Sequence, residues 1–286
     1  MAEIKLFVCC HQQSPVLSHP LLVPIQVGAA LAETRFPGFL QDDTGDNISA
    51  KNRSYCELTA QYWAWKNISA DYYGFFHYRR YLYPDVEAKR PYRIEREPTP
   101  SLLCKLGYGE FADLIEQYDL IVPKGENMYL PVREHYAAAP FHHREDLERL
   151  EEIVWERHPD MIPAMERYLS DSICYFGNIF IMKRQVFFDY CAWLFPLLEE
   201  FDRRSDLSGY SPQERRVDGY LAERLLGVYL AHRRDALTIC ELPRVHMSPN
   251  LINRTLYPLL PPGTRRRAVV KAAGLKVKRC LVDRQG

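Results

Sequence analysis

No stretch of this 286-residue sequence reaches the ~18 consecutive apolar residues that a membrane-spanning helix requires. The first apolar run, residues 4–10, is too short for a signal peptide and meets His11 and two glutamines at once. Eight cysteines are present, but no two stand in a C-x-x-C spacing, and most lie in apolar or aromatic runs. They read as buried free thiols of a reducing compartment, so a cytoplasmic chain is expected. His142-His143-Arg144-Glu145-Asp146 is the nearest approach to a zinc motif, yet adjacent histidines cannot point one way from a helix and no H-E-x-x-H occurs. The aromatic and basic platforms of RNA modules are missing, so no nucleic-acid partner is expected. No internal repeat is present. Net charge is also absent, with 37 basic and 37 acidic residues, but the balance hides an asymmetry. The last 23 residues hold eight Lys/Arg against Asp283 alone, leaving 29 basic and 36 acidic residues for the rest.

What is present suits a globular α/β enzyme: 47% hydrophobic, 26% charged residues. The expected organisation is one domain over residues 1–260 and a basic amphipathic tail over 261–286. In the tail Val270, Ala273, Val277 and Leu281 share a helical face, as in helices that lie on anionic membrane surfaces. Residues 4–10 read as a buried strand opening into a polar loop, which places Cys10 and His11 beside a site at the carboxyl end of a parallel sheet. Residues 26–32 read as a short strand or a helical turn. Spacing predicts a helix over 52–67 with Ser49 as its amino-terminal cap, then a central strand over 72–76. Residues 84–101, with four prolines and many charges, read as a loop or lid. Further helices are predicted over 111–117, 146–158, 185–201 and 217–230, and strands over 120–123 and 174–182. Alternating strands and helices imply an α/β sandwich with one mostly parallel sheet.

The densest polar stretch is residues 46–81. His77, Tyr78, Arg79 and Arg80 follow the predicted central strand, where two guanidiniums at a buried strand end call for solvent or an anion such as a diphosphate. Asp46, Asn47, Ser49, Lys51 and Asn52 crowd a predicted helix start, a favourable place for phosphate, and Asp43 precedes them. A capping turn explains Ser49 and Asp46 equally well. Trp63 and Trp65 read as packing residues. Asn178 interrupts an apolar strand and needs a partner, a backbone group or a sugar hydroxyl. Asp218 starts a predicted helix and Glu223 follows five residues later. Either could be the base of a transfer reaction, or simply a cap and a surface ion pair.

Residues 47–52, Asn-Ile-Ser-Ala-Lys-Asn, the Glu57-Leu58-Thr59 that follows, Gly177-Asn178-Ile179-Phe180 and the run 216–225 together resemble a family of bacterial polysaccharide-biosynthesis proteins, long labelled as of unknown function and since associated with galactofuranosyltransferase activity. The resemblance spans about residues 4–260. It implies a Rossmann-like, GT-A-like nucleotide-diphosphosugar transferase that moves galactofuranose from UDP-galactofuranose to a lipid-linked or oligosaccharide acceptor of a surface polysaccharide, with inversion. A pyranose donor and a noncatalytic nucleotide-sugar-binding scaffold stand as alternatives. On this resemblance the 43–52 and 77–80 residues named above, with Cys10, His11 and Asn178, bind the nucleotide sugar. Asp218, then Glu223, with Glu57 and Asp43 behind them, are the candidate bases, and His143 is a candidate for acceptor binding. Many such transferases hold Mg2+ or Mn2+ through Asp-x-Asp at a strand end, and this chain shows none where His77 to Arg80 stand. His77, Arg79 and Arg80 are therefore expected to take over part of the metal's charge-neutralising role.

Overall fold

The computed structural model describes residues 2–248, Leu260 and residues 265–266, 269–270 and 273–274. The predicted tail surface therefore lies largely outside the described residues. Among the described residues the strands are β1 (Ile4–Cys10), β2 (Leu22–Gln26), β3 (Leu40–Gln41), β4 (Tyr72–His77), β5 (Arg80–Leu82), β6 (Tyr92–Glu95), β7 (Leu120–Pro123), β8 (Glu126–Asn127), β9 (Ile173–Cys174), β10 (Phe180–Lys183), β11 (Ile239–Leu242) and β12 (Arg244–Met247). The helices are α1 (Asn52–Tyr55), α2 (Leu58–Asn67), α3 (Pro100–Lys105), α4 (Phe111–Ile115), α5 (Val132–Ala138), α6 (Arg144–Arg157), α7 (Ile162–Ser170), α8 (Arg184–Arg204) and α9 (Val217–Arg233).

The main sheet runs β11-β7-β10-β4-β1-β2-β3, with β5, β6 and β12 attached at one side. Pairings β4-β1-β2-β3 and β7-β11 are parallel, and β10 inserts antiparallel between β4 and β7. The mostly parallel sheet expected from the sequence is thus the observed one. It is covered on both faces, which is why β1 from Leu6 to Cys10 is apolar without alternation. Phe7, Cys9, Tyr73 and Phe75 face a core built with α2 and α6 to α9, whereas Leu6, Val8, Cys10 and Phe76 face a second core with β5, α3, α4 and β12. At the centre Leu6 pairs with Gly74. A Cβ at Gly74 would stand 2.4 Å from Leu6 Cδ2, so this strand position has no room for a side chain.

Three predicted elements differ. The helix expected over 52–67 is two helices separated at Cys56, whose φ of 51° lies in the left-handed region. Ser49 does not cap it. Its hydroxyl is 2.5 Å from Asp42 Oδ1, and buried Asp42 also accepts the N–H groups of Gly28 and Ala29 at 2.8 and 2.9 Å. The strand expected over 174–182 is broken by a turn at Gly177 (φ 95°) and Asn178 (φ 48°), leaving β9 and β10 in different sheets. Hydrophobicity read these segments as continuous because it carries no information about backbone hand. The segment 84–101 contains β6, which pairs with β12 and is not simply a loop.

Candidate functional site

In a parallel sheet whose strand order reverses between neighbours, the chain segments leaving those neighbours turn opposite ways and open a crevice at their carboxyl ends. Here the reversal falls between β1 and β4, and a cleft of about 770 Å³ lies there. β1 contributes Cys9 and the loop after it His11, β4 contributes His77, the following turn Arg79, and the start of β5 Arg80. Register places Cys9 beside His77 and His77 beside Arg80. From the helical side come Asn52, Arg53, Cys56 and Glu57, then Arg216, Gly219, Tyr220 and Glu223, whose spacing presents one face of the α9 start.

Five guanidiniums line this cleft, those of Arg53, Arg79, Arg80, Arg215 and Arg216. Arg215 is tied to the Tyr210 and Ser208 carbonyls at 3.0 and 3.2 Å, and Arg216 Nε donates to Cys56 Sγ at 3.3 Å. Among the described residues none of the five lies in an ion pair with a carboxylate. Desolvation, helped by nearby Arg244, lowers the Arg80 pKa, so the site carries excess positive charge at a real energetic cost. The same field acts on the histidines. Burial, then Arg80 and Arg79, push His77 down to about 2, and burial, Arg79 and Arg216 lower His11. Both imidazoles are therefore neutral near pH 7.

The cleft holds two carboxylates, Glu57 and Glu223, and one turn orients both. Asn178 Nδ2 donates to Glu57 Oε1 at 2.8 Å and to the Gly219 carbonyl at 3.0 Å, while the Gly177 N–H donates to Glu223 Oε1 at 2.7 Å. Burial raises the Glu57 pKa, the Asn178 hydrogen bond opposes that rise, and Glu223 adds to it. A carboxylate among unpaired guanidiniums, with elevated proton affinity, is equipped to accept a proton.

The structure sorts the predicted residues. His11, Asn52, His77, Arg79, Arg80, Glu57 and Glu223 line the cleft. Cys10 points into the opposite core and Cys9 takes the cleft side, because successive strand residues face opposite ways. Tyr78 packs in that same opposite core. The loop before α1 is mostly scaffold. Asp43 meets Arg35 at 2.5 Å, Asp46 accepts from the Tyr62 hydroxyl at 3.3 Å, Asn47 closes its own turn on the Asp43 and Gly45 carbonyls, and Lys51 pairs with Asp202 at 2.9 Å. Asp218 is fully buried, bonded to the Ser54 hydroxyl, and does not line the cleft. Burial and the charge of Asp202 raise its pKa well above the carboxylate range. His143 Nε2 lies 3.1 Å from Glu214 Oε1, behind the cleft-lining loop. Sequence reasoning missed Arg53, Arg215 and Arg216. Arg216 precedes α9 by one residue, a signal available in the run 216–225.

The family DUF4422, a domain of unknown function, matches residues 5–234, which include every cleft residue named above. The chain belongs to that family. This DUF4422 protein is also similar to the solved apo structure of WbbM, a bifunctional glycosyltransferase, at 31% sequence identity and a TM-score of 0.81. The likeness covers 86% of this chain and 45% of WbbM, so the chain spans less than half of that protein's length. No curated protein sequence matches it. The mixed α/β architecture is that of the glycosyltransferase structure, in line with the GT-A-like expectation.

The sheet end of this DUF4422 site carries basic rather than acidic side chains. Among the described residues no group of three or more His, Cys, Asp or Glu side chains is placed to hold a metal ion. The two cleft carboxylates are each engaged by the 177–178 turn, and the strand end that would carry acidic ligands carries Arg79 and Arg80. No helix among the described residues is long and apolar enough to cross a membrane.

Proposed function

We propose that this chain is a glycosyltransferase that carries galactofuranose from UDP-galactofuranose to a growing surface polysaccharide, with inversion at the anomeric carbon. The observation that carries the reading is the set of guanidiniums without carboxylate partners at the sheet's switch point, beside two oriented carboxylates. The WbbM likeness and the sequence resemblance support the reaction class and, for the resemblance, the furanose.

In this reading Arg79, Arg80, Arg216 and Arg53 bind the diphosphate through charge-assisted, bidentate hydrogen bonds. The acceptor hydroxyl oxygen attacks the anomeric carbon from the face opposite the diphosphate. The bond from that carbon to the diphosphate oxygen breaks, its electron pair stays on the leaving group, and the guanidiniums stabilise the charge that develops there. The acceptor proton goes to Glu57. Glu57 displaces Asp218 as the base because Asp218 has no opening to the cleft. Glu223 holds the Gly177 N–H and is the second candidate.

The test is a panel of UDP-galactofuranose, UDP-galactose and UDP-glucose with a lipid-linked acceptor, with and without EDTA, scored for UDP release and sugar transfer. Transfer from UDP-galactofuranose, undiminished by EDTA, is expected. Arg79→Ala with Arg80→Ala should lower it by about 10²-fold or more with the fold intact. Preference for a pyranose donor overturns the donor assignment, loss with EDTA overturns the arginine role, and full turnover in the arginine variant overturns the site.

A further inference from the structure

The adjacent histidines that invite a metal reading in the sequence do something else in the fold. His142 stacks on Tyr220, with ring centroids 4.1 Å apart and planes inclined by 19°, and His143 lies 4.6 Å from Tyr210 at 34°. Each histidine thus backs one cleft-lining tyrosine. Both are themselves fixed, His142 Nδ1 lying 2.8 Å from the Pro140 carbonyl and His143 Nε2 lying 3.1 Å from Glu214. Burial pushes the His142 pKa down to about 4, so this backing ring is uncharged near neutrality.

The tyrosine hydroxyls are spent on anchoring. Tyr210 donates to Asp146 Oδ1 at 2.8 Å, and Tyr220 donates to the Gln213 carbonyl at 3.1 Å. What these half-buried rings and Pro212 offer the cleft is therefore carbon surface in an otherwise charged site. The Arg216 guanidinium carbon, 5.6 Å from the Tyr220 centroid, marks where that surface meets the cationic part.

We infer that Tyr210, Pro212 and Tyr220, backed by His142 and His143, form an aromatic platform that binds the hexose ring of the acceptor, an inference that rests on the glycosyltransferase reading. A diphosphate gains nothing from aromatic carbon. A sugar ring gains much, because its C–H face stacks on the rings while its hydroxyls stay free for polar groups. Tyr220 and Glu223 are three residues apart on α9 and share a face. A sugar on the platform therefore has a hydroxyl within the neighbourhood of the cleft carboxylates, where the proton must leave.

The test reads binding, so it does not depend on turnover. Saturation-transfer NMR is run with methyl β-galactofuranoside and methyl β-galactopyranoside on the full chain in the presence of UDP. The variants are Tyr210→Ala, Tyr220→Ala and, to keep bulk without a ring, Tyr210→Leu, with Tyr210→Phe as the conservative control. Glycoside affinity should fall about tenfold on removing either ring and hold in the Phe variant, while the UDP Kd stays constant. Absence of glycoside binding to the wild type, or unchanged affinity in the Ala and Leu variants, overturns the platform. A parallel loss of UDP affinity overturns it in favour of a nucleobase platform. Glycoside binding without any UDP binding leaves the platform standing and sinks the transferase reading.

Discussion

Glu57 sits between two residues in uncommon backbone conformations, Cys56 before it and Asn178 across from it, both non-glycines with positive φ. Such conformations cost of order 1–3 kcal/mol each and persist where surrounding contacts enforce them, commonly at functional sites. Asn178 is the pivotal contact, since its amide bonds Glu57 and its Oδ1 has no hydrogen-bond partner among the described residues. Because that bond lowers a pKa that burial raises, Asn178→Ala should raise the Glu57 pKa further. A base must be deprotonated, so the acidic limb of the kcat/KM profile should move to higher pH, with kcat down about tenfold or more; an unmoved limb shows that Glu57 is not the titrating base. Glu57→Gln should cost about 10²–10⁴-fold in transfer with UDP affinity held, as measured by calorimetry. Asp218 behaves oppositely. Its folded pKa is raised, so the stability it contributes is fully present only below the ordinary aspartate pKa, about 3.9, and is lost as pH rises from there through the folded pKa. Asp218→Asn removes that loss, and its melting temperature should exceed the wild type by more at pH 8 than at pH 5, at about 2–4 °C per kcal/mol. A melting temperature below wild type at pH 8 contradicts this.

Among the elements, α9 carries the most. Its first two turns present Gly219, Tyr220 and Glu223 to the cleft, and Arg224, 2% exposed, lies against the faces of Tyr136 and Phe176 and pairs with Glu223 at 3.3 Å. The helix approaches α7 so closely that a Cβ at Gly227 would stand 2.0 Å from the Tyr168 ring. Gly227→Ala should therefore destabilise by about 1–3 kcal/mol despite its better helix propensity, seen as a lower urea midpoint; a gain in stability argues that the α7–α9 contact is loose. The central strands β1, β4 and β7 were legible as largely apolar runs bounded by polar or proline breaks, and α4, α6, α8 and α9 by their periodicity, whereas β2, β11 and β12 were not. The breaks at Cys56 and at Gly177-Asn178 were not legible. Each depends on a partner distant in sequence, Glu57 on Asn178 and Glu223 on Gly177, that no local pattern announces.

For the whole molecule, the cleft gathers unpaired guanidiniums from three parts of the chain, 53, 79–80 and 215–216, while the formal net charge is zero. UDP binding should accordingly weaken as salt rises from 50 to 500 mM, as the Debye length falls toward a few ångströms, and Arg216→Ala should flatten that dependence. A salt-independent Kd argues against charge recognition by these residues. The sequence by itself determined the fold class and the strand end at His77 to Arg80, since periodicity and an apolar run ending in charge are local properties. It also held the family motifs in residues 47–59 and 177–180. Only the tertiary structure decided that most of the 43–51 loop is scaffold, that Asp218 is enclosed while Glu57 opens to the cleft, and that Arg53 and Arg216 join Arg79 and Arg80. Which side of a strand or helix meets the cleft depends on how the elements pack, and that packing is set by contacts between residues as far apart in sequence as Ser54 and Asp218.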